Sequence, residues 1–230
     1  MINIENAKIL LGIPCYGNQI NSGILSSIFN ASKNHIEIRL NDSSFLTLNF
    51  NQLLVATYNE KFDYFVMLHA DIEVLTPEWI DKMIEIMQQN DFGVLSVVSP
   101  IKNNTGTTST ALDDTNSTLR KLTMLEIATQ LPLTFSPQDT LKVFKNEKLL
   151  INTGVMCINS SKIDPTQCYF DIENKIIKKD NGTFVAESFS EDWNFSRMLM
   201  KYGVKYGATR AISVKHFGNM AWDNQTVKIR

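Results

Sequence analysis

Cysteine pairs, an excess of basic charge and long apolar runs are all missing from this sequence, and each absence removes a class of protein. The three cysteines, Cys15, Cys157 and Cys168, are an odd number without C-x-x-C spacing. Neither a disulfide framework nor a zinc site is indicated. Lysine and arginine total 22 against 24 acidic residues, a net charge of −2, so nucleic-acid binding has no support from net charge. No apolar stretch reaches the length of a membrane span, and the opening MINIENAKILLGIPCYG lacks a basic region ahead of its short apolar run. The expectation is a cytoplasmic protein without a transmembrane segment. Hydrophobic residues at 43% and charged residues at 20% are enough for a packed core, and 230 residues fit one α/β domain.

What is present centres on Phe62 to Leu75, FDYFVMLHADIEVL. Tyr64 to Leu68 is a nearly continuous apolar run, the pattern of a strand buried on both faces of a parallel sheet. His69, Asp71 and Glu73 follow at once, at the sheet edge where open α/β proteins bind ligands. An unpaired buried carboxylate is costly, and a divalent cation carrying a diphosphate would give it a partner; oxygen ligands suit Mg²⁺ or Mn²⁺. Thr76 then reads as a helix N-cap with Pro77 at the first helical position.

Along the rest of the chain, Lys8 to Ile13 reads as a buried strand that Pro14 stops. Ile20 to Ala31 reads as a helix and His35 to Leu40 as an alternating strand. Phe45 to Tyr58 is a mostly apolar helix and Gly93 to Val98 another buried strand. Lys102 to Asp114, rich in Thr, Asn and Ser, reads as a long covering loop with Lys102 as a phosphate contact. Leu119 to Gln130 reads as a helix, with Thr123 and Glu126 as a capping box. Asn152-Thr153-Gly154 lies between two apolar runs, and a glycine there marks a bulge or a close backbone approach. Ser190 reads as the N-cap of an amphipathic helix with Glu191 and Asp192 in its first turn, where the helix dipole favours negative charge. His216 closes a late apolar strand, and residues 219–230 read as a tail.

The strand followed by VMLHADIEV resembles the Asp-x-Asp elbow of nucleotide-sugar glycosyltransferases of the GT-A fold, family 2 type. Aligned on Ala70, the first acidic position holds His69 and the second Asp71; Glu73 offers a shifted register. The resemblance extends over residues 7–218, with Asp71, then Glu191-Asp192, then His216 in the family's order. It implies a single GT-A-like, Rossmann-like domain, residues 1–218, with a mostly parallel central sheet flanked by helices. It further implies Asp71 and His216 as ligands of Mn²⁺ or Mg²⁺, with His69 or Glu73 as neighbour. Tyr16 and Asp42 would hold the nucleotide, and Asn152 and Gly154 the donor sugar. Asp192, with Glu191 beside it, would be the general base on an unknown hydroxyl acceptor, giving inversion. The donor would be a nucleoside diphosphate sugar.

Two other readings stand beside this one. A nucleotidyltransferase shares such a sheet, but its Gly-rich basic phosphate loop has no counterpart in PCYGNQ. A non-catalytic nucleotide-sugar-binding module would explain His69 at the first acidic position, and donor hydrolysis separates it from an enzyme.

Overall fold

The computed structural model describes residues 6–17, 19–102, 105–113, 119–218 and 221–224. The chain opens with β1 (Ile9–Cys15), α1 (Ser22–Phe29), β2 (Ile36–Asp42), α2 (Leu46–Asn59) and β3 (Tyr64–Leu68). It continues through β4 (Ile72–Val74), α3 (Trp79–Asn90), β5 (Val94–Val97), β6 (Thr107–Asp113), β7 (Leu119–Thr123), α4 (Met124–Gln130), β8 (Thr134–Phe135) and α5 (Pro137–Val143). The last third holds β9 (Lys148–Leu150), β10 (Val155–Asn159), β11 (Glu173–Lys178), β12 (Phe184–Phe189), α6 (Glu191–Lys201), β13 (Tyr206–Thr209), β14 (Val214–Phe217) and β15 (Ala221–Asp223).

The main sheet has the order β2-β1-β3-β10-β5-β13-β8. Strands β2, β1, β3, β5 and β13 run one way, while β10 and β8 run against them. The unbroken apolar runs of β1 and β3 follow from burial on both faces. Leu10, Phe65 and Met67 face one apolar layer with Phe50 and Leu53 of α2 and Phe195 and Leu199 of α6. Ile9, Leu11, Val66 and Leu68 face the other, with Ile24 of α1 and Trp79, Ile80 and Met83 of α3. Each such fully buried side chain contributes about 1.5–3 kcal/mol. Gly12 lets α2 lie close: a Cβ there would stand 2.7 Å from Phe65 and 2.9 Å from Leu53. Three smaller sheets, β15-β14-β4, β7-β6-β9 and the two-stranded β11-β12, accompany the main one among the described residues.

Six local expectations need correction. Strand β1 runs on through Pro14 and Cys15, paired with Asn41 and Asp42 of β2. The missing Pro14 N–H does no harm on the β3 side, because that ladder already ends at Gly12↔Met67. Thr76 does not cap α3; its hydroxyl accepts the Ser213 N–H at 2.8 Å, and the helix starts after Glu78 in the left-handed conformation, φ 54°. The Lys102 to Asp114 segment is no free loop, since residues 107–113 form β6, paired with both β7 and β9; residues 103–104 and 114–118 lie outside the described residues. The Leu119 to Gln130 segment divides into β7 and α4, with the Thr123–Glu126 capping box at the junction. Ser190 precedes α6, yet its side chain makes no capping hydrogen bond. The expected tail from 219 also contributes structure: β15 pairs with β14, and the buried Asn224 amide donates to the Val98 and Ile212 carbonyls at 3.0 and 2.8 Å.

Candidate functional site

The carboxyl end of β3 is fixed from three sides. The His69 N–H donates to the Gly154 carbonyl at 2.9 Å, Asn21 N–H to Ala70 O at 3.0 Å, and Phe217 N–H to Asp71 O at 2.8 Å. The last bond continues the antiparallel pairing of β14 with β4, which brings His216 opposite Ile72. His216 Nε2 thereby stands 3.5 Å from Asp71 Oδ1. Its Nδ1 is 2.8 Å from the Pro100 carbonyl, which can only accept, so Nδ1 carries the proton. The Lys102 ammonium pairs with Asp71 Oδ2. Burial alone would raise the Asp71 carboxyl, but His216 and Lys102 outweigh it and hold the group well below the usual carboxylate range.

The second constellation forms where α6 meets the turn before β10. Ser196 Oγ accepts the Ile151 N–H at 3.0 Å and docks the helix on that turn. Asp192 Oδ1 accepts the Thr153 N–H at 3.0 Å and also the Thr153 hydroxyl. Burial, then the neighbouring Glu191 carboxylate, pushes the Asp192 carboxyl upward, against the Thr153 bonds and Lys121, which favour the anion. Glu191, 8% exposed, is raised by its own burial. The antiparallel sense of β10 matters here, because it brings the start of that strand to the edge where β3 ends.

His69 joins the two groups. Two residues from Asp71, it presents Nε2 to the Thr153 hydroxyl at 3.4 Å and packs its ring on Phe50, 5.3 Å between centroids. Burial pushes its pKa down to about 4, so the ring is neutral near pH 7. Thr153 is the residue that sequence reasoning passed over; only its place in the Asn-Thr-Gly turn signalled it.

The remaining expected residues are placed as follows. Tyr16, 76% exposed, stands at the mouth of a cavity of about 470 Å³ whose walls include Cys15, Ser43, Asn49, His69 and Asp71. Asp42 Oδ1 accepts the Gly17 N–H at 2.9 Å, which anchors the loop that carries Tyr16. Asn152 lies buried in its turn, its backbone carbonyl accepting the Ser96 hydroxyl at 2.6 Å, while its Nδ2 has no partner among the described residues. Gly154 is required by packing: a Cβ there would stand 2.6 Å from Ile72 Cδ1. Glu73 is not gathered with Asp71. It lies across from Lys215 on β14, with its carboxyl carbon 3.2 Å from where a Cβ on Gly23 would stand. A larger hollow of about 550 Å³, lined in part by Thr134, Lys148 and Tyr206, involves none of these residues.

This donor set fits a resident divalent cation poorly. Asp71 Oδ2 carries Lys102, His69 faces Thr153 and Glu73 is turned away, which leaves one carboxylate oxygen and His216 Nε2. Among the described residues no group of three His, Cys, Asp or Glu side chains is arranged to hold a metal ion.

No family model and no curated protein sequence matches the chain. Among solved structures it is similar to A197 from STIV, at a TM-score of 0.54 and 13% identity, over 92% of this chain and 86% of that one. At that identity the likeness speaks to the fold alone. CMP:2-keto-3-deoxy-manno-octonic acid synthetase complexed with CTP aligns over 88% of this chain and 89% of its own at 9% identity. Its TM-score of 0.41 carries no argument. No helix among the described residues is long and apolar enough to cross a membrane.

Proposed function

We propose that this protein transfers a sugar from a nucleoside diphosphate sugar to a hydroxyl acceptor, with inversion. The observation that carries the reading is the single site made from segments distant in sequence: Asp71 and His216 on one side, Thr153 and Asp192 on the other, with His69 between them. Tyr16 and the cavity beside it offer room and an aromatic face for a nucleoside next to Asp71. The diphosphate would lie at the Asp71 end, beside the Lys102 ammonium.

Asp192 suits the part of a general base. A sugar hydroxyl becomes a good nucleophile only as its proton leaves, and a base works best when its pKa lies near the working pH. Burial and Glu191 move Asp192 in that direction, and Thr153 fixes one of its oxygens, leaving Oδ2 to meet the acceptor. Attack from the Asp192 side, opposite the departing nucleotide, inverts the anomeric carbon. Glu191, buried beside Asp192 at the same helix start, tunes that carboxylate.

The test is release of nucleoside diphosphate from a panel of sugar nucleotides, run alongside calorimetric binding. Wild type is expected to bind one donor and release its nucleotide. Asp192→Asn should keep binding and lose turnover, while Asp71→Ala should lose both. Failure of every donor to bind would overturn the reading, and binding without turnover across a panel of acceptors would replace it with the non-catalytic module.

A further inference from the structure

The sugar-nucleotide reading requires positive charge against the diphosphate, and the chain offers a source of its own. The ammonium of Lys102 lies on Asp71 Oδ2, at the position that a metal bound by that carboxylate would take. Its backbone is held in place: Ile101 N–H donates to the Thr107 carbonyl at 3.1 Å, and Pro100 bridges Thr108 of β6. The same short segment orients His216 through the Pro100 carbonyl. Residues 100 to 102 therefore set both nitrogen groups that face Asp71.

We propose that Lys102 is the site's built-in cation, holding the diphosphate of the nucleotide in place of a divalent metal; this rests on the sugar-nucleotide reading above. Three observations converge on it. Among the described residues Asp71 is the only partner of the ammonium, so two of its three N–H donors are unused and available to phosphate oxygens. The position where the metal motif would carry its first acid holds His69, which burial keeps neutral and which faces Thr153. Glu73, the other acid within reach in sequence, points toward the start of α1. Asp71 then acts as a positioning residue, fixing Lys102 by charge and geometry. When the nucleotide departs, the ammonium stabilises the charge that develops on the leaving diphosphate without a change in metal coordination.

The experiment is calorimetric titration of the purified full chain with UDP, CDP, GDP, ADP and inorganic pyrophosphate, in EDTA and again in Mn²⁺. Wild type, Lys102→Met and Lys102→Arg are compared, with thermal unfolding as a control for folding. One nucleoside diphosphate is expected to bind in EDTA, more tightly than pyrophosphate. Lys102→Met should weaken it roughly 10- to 100-fold, Lys102→Arg should recover most of the loss, and Mn²⁺ should change little. Binding that needs Mn²⁺ and is equal or tighter in Lys102→Met would overturn the proposal while leaving the sugar-nucleotide reading intact, with Lys102 as a placeholder for the metal. If no nucleoside diphosphate binds in either buffer, both fall together. Binding of pyrophosphate alone, equal to that of every nucleotide, would also overturn it, by reducing the site to a bare anion hole.

Discussion

The two ends of the site solve the problem of a carboxylate at a sheet edge in opposite ways. Asp71 is 39% exposed in its side chain and is stabilised as an anion by Lys102 and His216. Asp192 has hydrogen bonds to Thr153 but sits beside a second, buried acid, and its anion is disfavoured. The first arrangement keeps a permanent charge pair ready for another charged group. The second keeps a carboxyl group that burial and an acidic neighbour shift toward its protonated form. The proposed transfer would use one of each.

The largest expected separation between the two ends comes from Asp192→Asn, which should lower turnover by about 10²–10⁴-fold and leave nucleotide affinity within twofold or so; parallel calorimetry and product assays decide it. A fall in affinity as large as the fall in turnover would erase the division of labour. Next, Thr153→Val removes the hydroxyl while leaving the backbone N–H bond at 3.0 Å. Stability should drop by about 1–3 kcal/mol, and the Asp192 midpoint, followed by carboxyl NMR, should rise further, with Thr153→Ser restoring both.

A subtler contrast concerns pH. The His69 midpoint is lowered from 6.5 to about 4, so the unfolded chain binds more protons than the folded one between those values, and stability should rise with pH there. The Asp192 midpoint is raised above its ordinary 3.8, so the folded chain holds the extra proton, and stability should fall as pH climbs through that window. One whole proton corresponds to a slope of about 1.4 kcal/mol per pH unit, and the two slopes oppose each other. Urea unfolding of wild type should therefore show little pH dependence from these groups between about 4 and 6.5. Asp192→Asn should unmask the rising slope and His69→Gln the falling one; equal profiles in all three would show that neither group is linked to folding. The smallest effect is expected from Glu73→Gln, with stability within about 0.5 kcal/mol and nucleotide affinity unchanged. A loss of affinity there would bring Glu73 back into the site.

Much of the main sheet was legible because its strands are buried on both faces and so appear as unbroken apolar runs, Tyr64–Leu68 above all. The helices over residues 22–29, 46–59 and 191–201 were legible from their spacing, and the Thr123–Glu126 capping box from residue type alone. Strand β6 was hidden because its buried positions include Thr108 and Thr110, both at 0% exposure. The Thr108 hydroxyl donates to the Leu122 carbonyl at 2.9 Å, so threonines that read as loop are core residues with satisfied hydroxyls. The site was legible as a set of acidic and histidine positions, but not in its pairing. That Lys102 meets Asp71 and Thr153 meets Asp192 depends on contacts across 31 and 39 residues, which no local pattern carries.

The place of β10 between β3 and β5 also bears on how the chain is born. β5 ends at Val97 and β10 begins at Val155, an interval that a ribosome covers in on the order of 3–12 s at about 5–20 residues per second. For that time β3, at the edge of the β2-β1-β3 group, and the lone β5 both lack their partners, since β13 is made later still, and both stay exposed to pairing with a neighbour. The strand that closes the gap is preceded by the turn carrying Thr153, and the Asp192 helix is made later still. A shortened chain that stops before residue 192 lacks Asp192, His216 and strand β13 together, so the proposed site can assemble only after the last third of the chain has been made.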